Sequence, residues 1–98
     1  VTIDLVPLIG VEREVLLARL AEITGALQGL YKEEAMLMAQ ERRAKVTAWI
    51  RSEAPTVAQR DREAEAAAME ELAALFEVRG QIKAQEAERD LIHRLLEG

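Results

Sequence analysis

Pro55 does most to limit what this chain can become. It separates two long stretches, 11–53 and 57–97, that contain no other proline. Proline has no amide N–H to give to a helix, and it pushes the residue before it out of the helical region. Glu53-Ala54-Pro55 should therefore end one helix. Thr56 offers a hydroxyl to cap the next, with Gln59 three residues on at the spacing of a capping box. The flanking stretches are rich in helix-forming residues, since the chain holds seventeen alanines and thirteen leucines and no asparagine.

Two helices of about 40 residues, each about 60 Å long at 1.5 Å per residue, joined by one short turn, predict an antiparallel hairpin. The expected fold class is all-α: a long, coiled-coil-like two-helix hairpin that dimerises into a four-helix bundle. Helix 1 is expected over about 11–53, the turn over 54–56 and helix 2 over about 57–97. Residues 1–10, "VTIDLVPLIG", form a separate apolar unit. They read either as an extended arm or as a helix entry with Asp4 as N-cap and Pro7 in the first turn. Pairing about the turn places Leu27 near Lys83, Met38 near Leu72, and Trp49 near Asp61.

Leu16, Leu20, Ile23, Leu27 and Leu30 follow alternating steps of four and three, a heptad seam. Beyond Leu30 the seam is expected to drift through Tyr31, Ala35 and Met38 to Val46 and Trp49. The stripe on helix 2 reads Val57, Ala64, Ala68, Leu72, Leu75, Ile82, Ile92 and Leu96, interrupted by Asp61, Arg79 and Arg89. "AEAAA" at 64–68 is small enough for a neighbouring helix to come close, and Gly25-x-x-x-Gly29 is read in the same way. A lone hairpin leaves Leu17, Leu37, Ile50, Phe76, Leu91 and Leu95 over, which is the argument for a second copy. The candidate oligomer interface is Leu16, Leu20, Ile23, Leu27, Leu30, Leu72, Leu75, Phe76, Ile82 and Ile92.

Charge is unevenly placed. The segment 42–62 holds six of the thirteen Lys and Arg against Glu53 and Asp61, so it is +4 in a chain of net charge −5. Arg42, Arg43, Lys45 and Arg51 lie near the end of helix 1, where cations suit the helix dipole; Arg60 and Arg62 begin helix 2, where they do not. Two readings stay open for this hairpin tip. One is a solvated end with Glu53 and Asp61 pairing locally. The other is a contact for phosphate or an acidic protein patch made by Arg42, Arg43, Lys45, Arg51, Arg60 and Arg62, with Trp49 as anchor. Trp49 itself is expected to pack against the start of helix 2.

Reaction chemistry finds little to work with. The chain has no cysteine, so disulfides and thiolate metal sites are excluded. His93 and Ser52 are the only residues of their kinds and lie far apart along the rod, and no glycine-rich phosphate loop occurs. Asp90 and His93 have the i, i+3 spacing of di-metal bundles but lack facing glutamates at the same level. The expectation is no enzyme, no metal and no cofactor. No apolar run nears the roughly 20 residues needed to span a bilayer. A soluble, unprocessed, cytoplasmic chain without a membrane partner is therefore expected.

The second half carries Thr56-Val57, then Arg60-Asp61-Arg62-Glu63, the Ala64–Ala68 run, and Glu88-Arg89-Asp90 near the end. In these features it resembles small helical proteins encoded by bacteriophages among early replication and recombination genes. The resemblance covers about half the chain and implies a non-catalytic accessory protein in the host cytoplasm, acting on another protein or on DNA. Length, acidity, lack of cysteine and a tryptophan near the turn are also similar to the WXG-type secreted hairpins. Trp49-Ile50-Arg51, however, lacks the glycine of that motif. The function expected is a homodimeric, non-enzymatic interaction or scaffold module. A hairpin gripping nucleic acid by its basic tip and a WXG-like secreted dimer are the alternatives.

Overall fold

The computed structural model describes residues 6–98, with side chains from Glu12 onward. Three helices follow one another: α1 over Val6–Arg51, α2 over Val57–Ala67 and α3 over Met69–Glu97. α1 runs antiparallel to α2 and α3, which follow each other along its length, and the hairpin measures 78 × 21 × 17 Å. Its radius of gyration is 22.0 Å, against about 13 Å for a compact chain of this length. The molecule is a rod with a closed tip at the turn and an open end where Arg13 on α1 reaches the Leu96 carbonyl of α3 at 3.5 Å. Asp4, expected as an N-cap, lies outside the described residues; Pro7 falls in the first turn of α1.

The turn is built as its residues dictate. Ser52 Oγ accepts from the Ala54 amide at 3.1 Å and also bonds Glu63 on α2. Thr56, in an extended conformation, caps α2 by accepting from the Gln59 amide at 3.2 Å. That satisfies one of the donors a helix start leaves unpaired. Arg60 Nε reaches back to the Ala54 carbonyl at 3.1 Å, so α2 holds the loop that precedes it.

The long side chains of the core gather toward the open end. Ile23, Leu27, Val78, Ile82 and Ile92 form its buried cluster, flanked by Leu16, Leu20, Leu30, Leu37 and Leu96. Toward the tip the buried seam narrows to Ala64 and Ala68. The seam corrects three sequence expectations.

First, it does not drift through Tyr31, Met38 and Val46, which remain exposed. The heptad continues instead through Glu34, Leu37, Glu41, Ala44 and Ala48, all partly covered. A hairpin needs one face kept toward its partner, and the seam holds its phase even where the occupants are polar or small. Secondly, Gly25 and Gly29 mark no close approach, since a Cβ at either would meet nothing within 4 Å. The heptad places them off the seam.

Thirdly, the expected helix 2 is not continuous. Ala68 has φ −102° and ψ 10°, and its amide turns to the Glu65 carbonyl at 3.2 Å. The regular ladder resumes with the Leu72 amide on the Ala68 carbonyl at 2.9 Å. Neither proline nor glycine stands there. The break coincides with a change of seam spacing: Arg60, Ala64 and Ala68 are four apart, whereas Ala68, Glu71, Leu75, Val78 and Ile82 alternate three and four. Eight residues exceed two helical turns, so a regular helix would rotate this seam away from α1.

Candidate functional site

With the seam assigned, the rod has two broad sides, and their chemistry differs. On α1, Tyr31, Met38 and Lys45 follow one another at intervals of seven beside the seam; on α3, Met69, Phe76 and Lys83 do the same. Tyr31 and Phe76 line one groove at mid-rod, together with Arg79 and Lys83. Val46 and Trp49 line another nearer the tip, with Lys45, Asp61 and Glu65. All three aromatic residues of the chain thus share a side. Phe76 is 63% exposed and Trp49 is 38% exposed. Sequence reasoning set Phe76 apart as surplus but assigned Tyr31 and Met38 to the seam. Continuing the Leu16-to-Leu30 heptad unchanged would have separated them.

Polar contacts fix this side. Tyr31 donates its hydroxyl to Glu86 at 2.8 Å, and Arg79 Nε bonds Glu34 at 3.1 Å across the hairpin. Glu86 pushes the Tyr31 phenol upward from its ordinary value, chiefly through that hydrogen bond, so the hydroxyl stays a donor. The opposite side bears Arg19, which grips Glu88 with two hydrogen bonds of 2.8 and 2.9 Å and also reaches Glu22. The Glu88 carboxyl is held below the usual carboxylate range, first by the hydrogen bond from Arg19.

The basic residues of the tip differ in their partners. Lys45 is paired with Glu41 at 2.6 Å, which raises its ammonium above the ordinary lysine value. The Arg60 guanidinium lies 5.2 Å from the Trp49 ring centroid while its Nε holds Ala54. Trp49 therefore packs beneath the start of α2 with part of its ring open. Arg42, Arg43, Arg51 and Arg62 make no ion pair among the described residues. The local pairing weighed for Glu53 and Asp61 is likewise not seen among the described residues. Arg43 and Arg51 border an alanine-floored groove on the second side, with Ala44, Ala48, Ala67 and Glu71.

Of the ten candidate interface residues, Ile23, Leu27, Leu75, Ile82 and Ile92 are buried within the hairpin itself. This revises their assignment, because a side chain consumed between α1 and α3 has no surface left for a second copy. Leu16, Leu20, Leu30 and Leu72 are partly covered at the seam edges, and Phe76 faces outward.

No group of three metal-ligating residues lies together among the described residues, Asp90 and His93 included. Among the described residues no helix is long and apolar enough to cross a membrane. Comparison with family models, curated proteins and solved structures finds no match to this chain.

Proposed function

We propose that this protein is a non-catalytic interaction module that works as a homodimer, two hairpins packing into a four-helix bundle. The observation that carries the reading is the exposed side formed by Tyr31, Met38, Met69, Phe76 and Trp49. Large aromatic and methionine side chains gathered on one face are the composition of an interface core. An interface of standard size covers about 800 Å² on each partner. That is about half of one 78 by 21 Å side of the rod. A non-catalytic accessory role is also what the resemblance to phage-encoded helical proteins implies.

Light scattering of the full chain tests the reading. Dimer mass is expected for the native protein, and monomer mass with undiminished helical circular dichroism for Phe76→Glu, since Phe76 adds little to the hairpin's own core. A native monomer would overturn the proposal.

A second reading has its own observation, that Arg42, Arg43, Arg51 and Arg62 make no ion pair among the described residues. A tip gripping nucleic acid requires binding that weakens steeply with salt and depends on Arg43 and Arg62. Binding of duplex or single-stranded DNA at low salt, read by fluorescence anisotropy, would favour it over the interaction module.

A further inference from the structure

The heptad that keeps one face of α1 toward α2 and α3 leaves the opposite face pointing outward. That face has three rows at intervals of seven: Lys32, Ala39 and Val46 in the middle, Arg42 and Trp49 on one flank, Met36, Arg43 and Ile50 on the other. Between Glu22 and the end of α1 every residue on it is exposed and none is acidic. Its charges there are Lys32, Arg42 and Arg43, all positive in a chain of net charge −5. Met36, Val46 and Ile50 are 54%, 51% and 69% exposed. The carboxylates of α1 in this span lie elsewhere. Glu34 and Glu41 are in the seam, paired with Arg79 and Lys45, and Glu33 stands on the second side. Glu53 follows the helix, in the loop. The outward face of α3 is the reverse, with Glu70, Glu77, Asp90 and Glu97 against Lys83 and Arg94.

We infer that the outward face of α1 docks on an anionic lipid surface, with Met36, Val46 and Ile50 among the headgroups and Lys32, Arg42 and Arg43 on lipid phosphates. Cations and large apolar side chains on one helix face, with no carboxylate between them, are the composition of an interfacial helix. Arg42 and Arg43 flank the middle row, so their stems can lie along it while both guanidinium groups reach the same plane. Neither makes an ion pair among the described residues. From Lys32 to Ile50 the rows run about 27 Å at 1.5 Å per residue, and a flat surface meets them along that whole length. Nucleic acid would use the cations and leave the three apolar side chains in water. A lipid surface takes up both. The acidity of the rest of the chain does not forbid this. The rod is 21 and 17 Å across, about two Debye lengths at physiological salt, so the carboxylates of α3 are screened from a surface beneath α1. No helix among the described residues is long and apolar enough to cross a membrane, but lying on one needs a face rather than a span. The inference does not require the proposed dimer, since Tyr31 and Met38 lie to one side of this face.

Co-sedimentation of the full chain with vesicles tests it. Vesicles of phosphatidylcholine mixed with phosphatidylserine in equal parts should carry the protein down at low salt, and vesicles of phosphatidylcholine alone should not. Arg42→Glu should weaken the binding by about tenfold or more, the scale of reversing one charge at an anionic surface. Ile50→Glu, at a position outside the seam, should abolish it with helical circular dichroism undiminished. Arg94→Glu makes the same change of net charge on the outward face of α3 and should leave binding within about twofold. An equal loss in Arg94→Glu and Arg42→Glu would overturn the inference, because net charge rather than this face would then govern binding. Equal binding to the two kinds of vesicle, or to neither, would overturn it as well. If vesicles fail to bind and duplex DNA binds in a way that Arg42→Glu weakens, the face belongs to nucleic acid instead. Light scattering decides the dimer separately, so either proposal can fail alone.

Discussion

The two halves of the rod are held together differently. The open half has a seam of Ile and Leu, with Ile23 entirely buried, and is clamped by the Arg19–Glu88 pair. The half near the tip has a seam of alanines, a helix that breaks at Ala68, and a loop tied down by a few local hydrogen bonds through Ser52, Thr56 and Arg60. Burial stabilises roughly in proportion to apolar area, so a seam of alanines contributes far less than one of isoleucines. One half is held by apolar mass, and the other by close approach and local bonds.

Four substitutions probe this contrast, from the largest expected effect to the smallest. Ile23→Ala removes a fully buried side chain of the open half. It should cost about 3 kcal/mol of stability, read by urea denaturation. A cost below about 1 kcal/mol would mean that the open half is not the anchor. Ala68→Leu overfills the tip seam, where Ala68 is 1% exposed. It should cost about 2 kcal/mol in the same assay. An unchanged or raised midpoint would show that the tip has room and that the break at Ala68 is not enforced by packing. Thr56→Ala deletes the α2 cap and should cost about 1 kcal/mol. Hydrogen exchange in that variant should quicken in 57–67 and leave 75–92 unchanged, which tests whether the halves open separately.

The smallest effect is electrostatic. Glu88 has a lower pKa folded than unfolded. Its contribution is therefore present above the unfolded carboxylate value and lost as pH falls through the folded one. Lys45, raised by Glu41, runs the other way: its contribution is present below the ordinary lysine value and lost as pH rises through the folded one. Glu88→Gln should lower the melting temperature slightly at neutral pH, and the gap to the native protein should close in acid. A gap that persists in acid would assign the effect to packing rather than charge.

Much of this architecture is legible in the residues. Pro55, the Thr56 cap and the Leu16-to-Leu30 heptad give the helices, the turn and the direction of pairing, because each acts locally. The break at Ala68 is not legible in the same way. Alanine is the strongest helix former, and "AEAAA" promises an unbroken helix until the seam of the opposing strand of the hairpin is considered. The aromatic side was hidden for a related reason. Glu34, Glu41, Glu71 and Gln85 occupy seam positions, so a search for apolar periodicity leaves the true phase there and follows Tyr31 and Met38 outward. The fate of the tip arginines depended on which acidic residues came within reach, which only the folded hairpin decides.

The seating of Trp49 under Arg60 has one more consequence. It is the chain's single indole, and it stands where the loop, α1 and α2 meet. Its emission therefore reports on the closed end of the rod alone, while far-ultraviolet dichroism averages over every turn of helix. The molecule carries an intrinsic optical gauge that can time the loosening of one end against the melting of the whole.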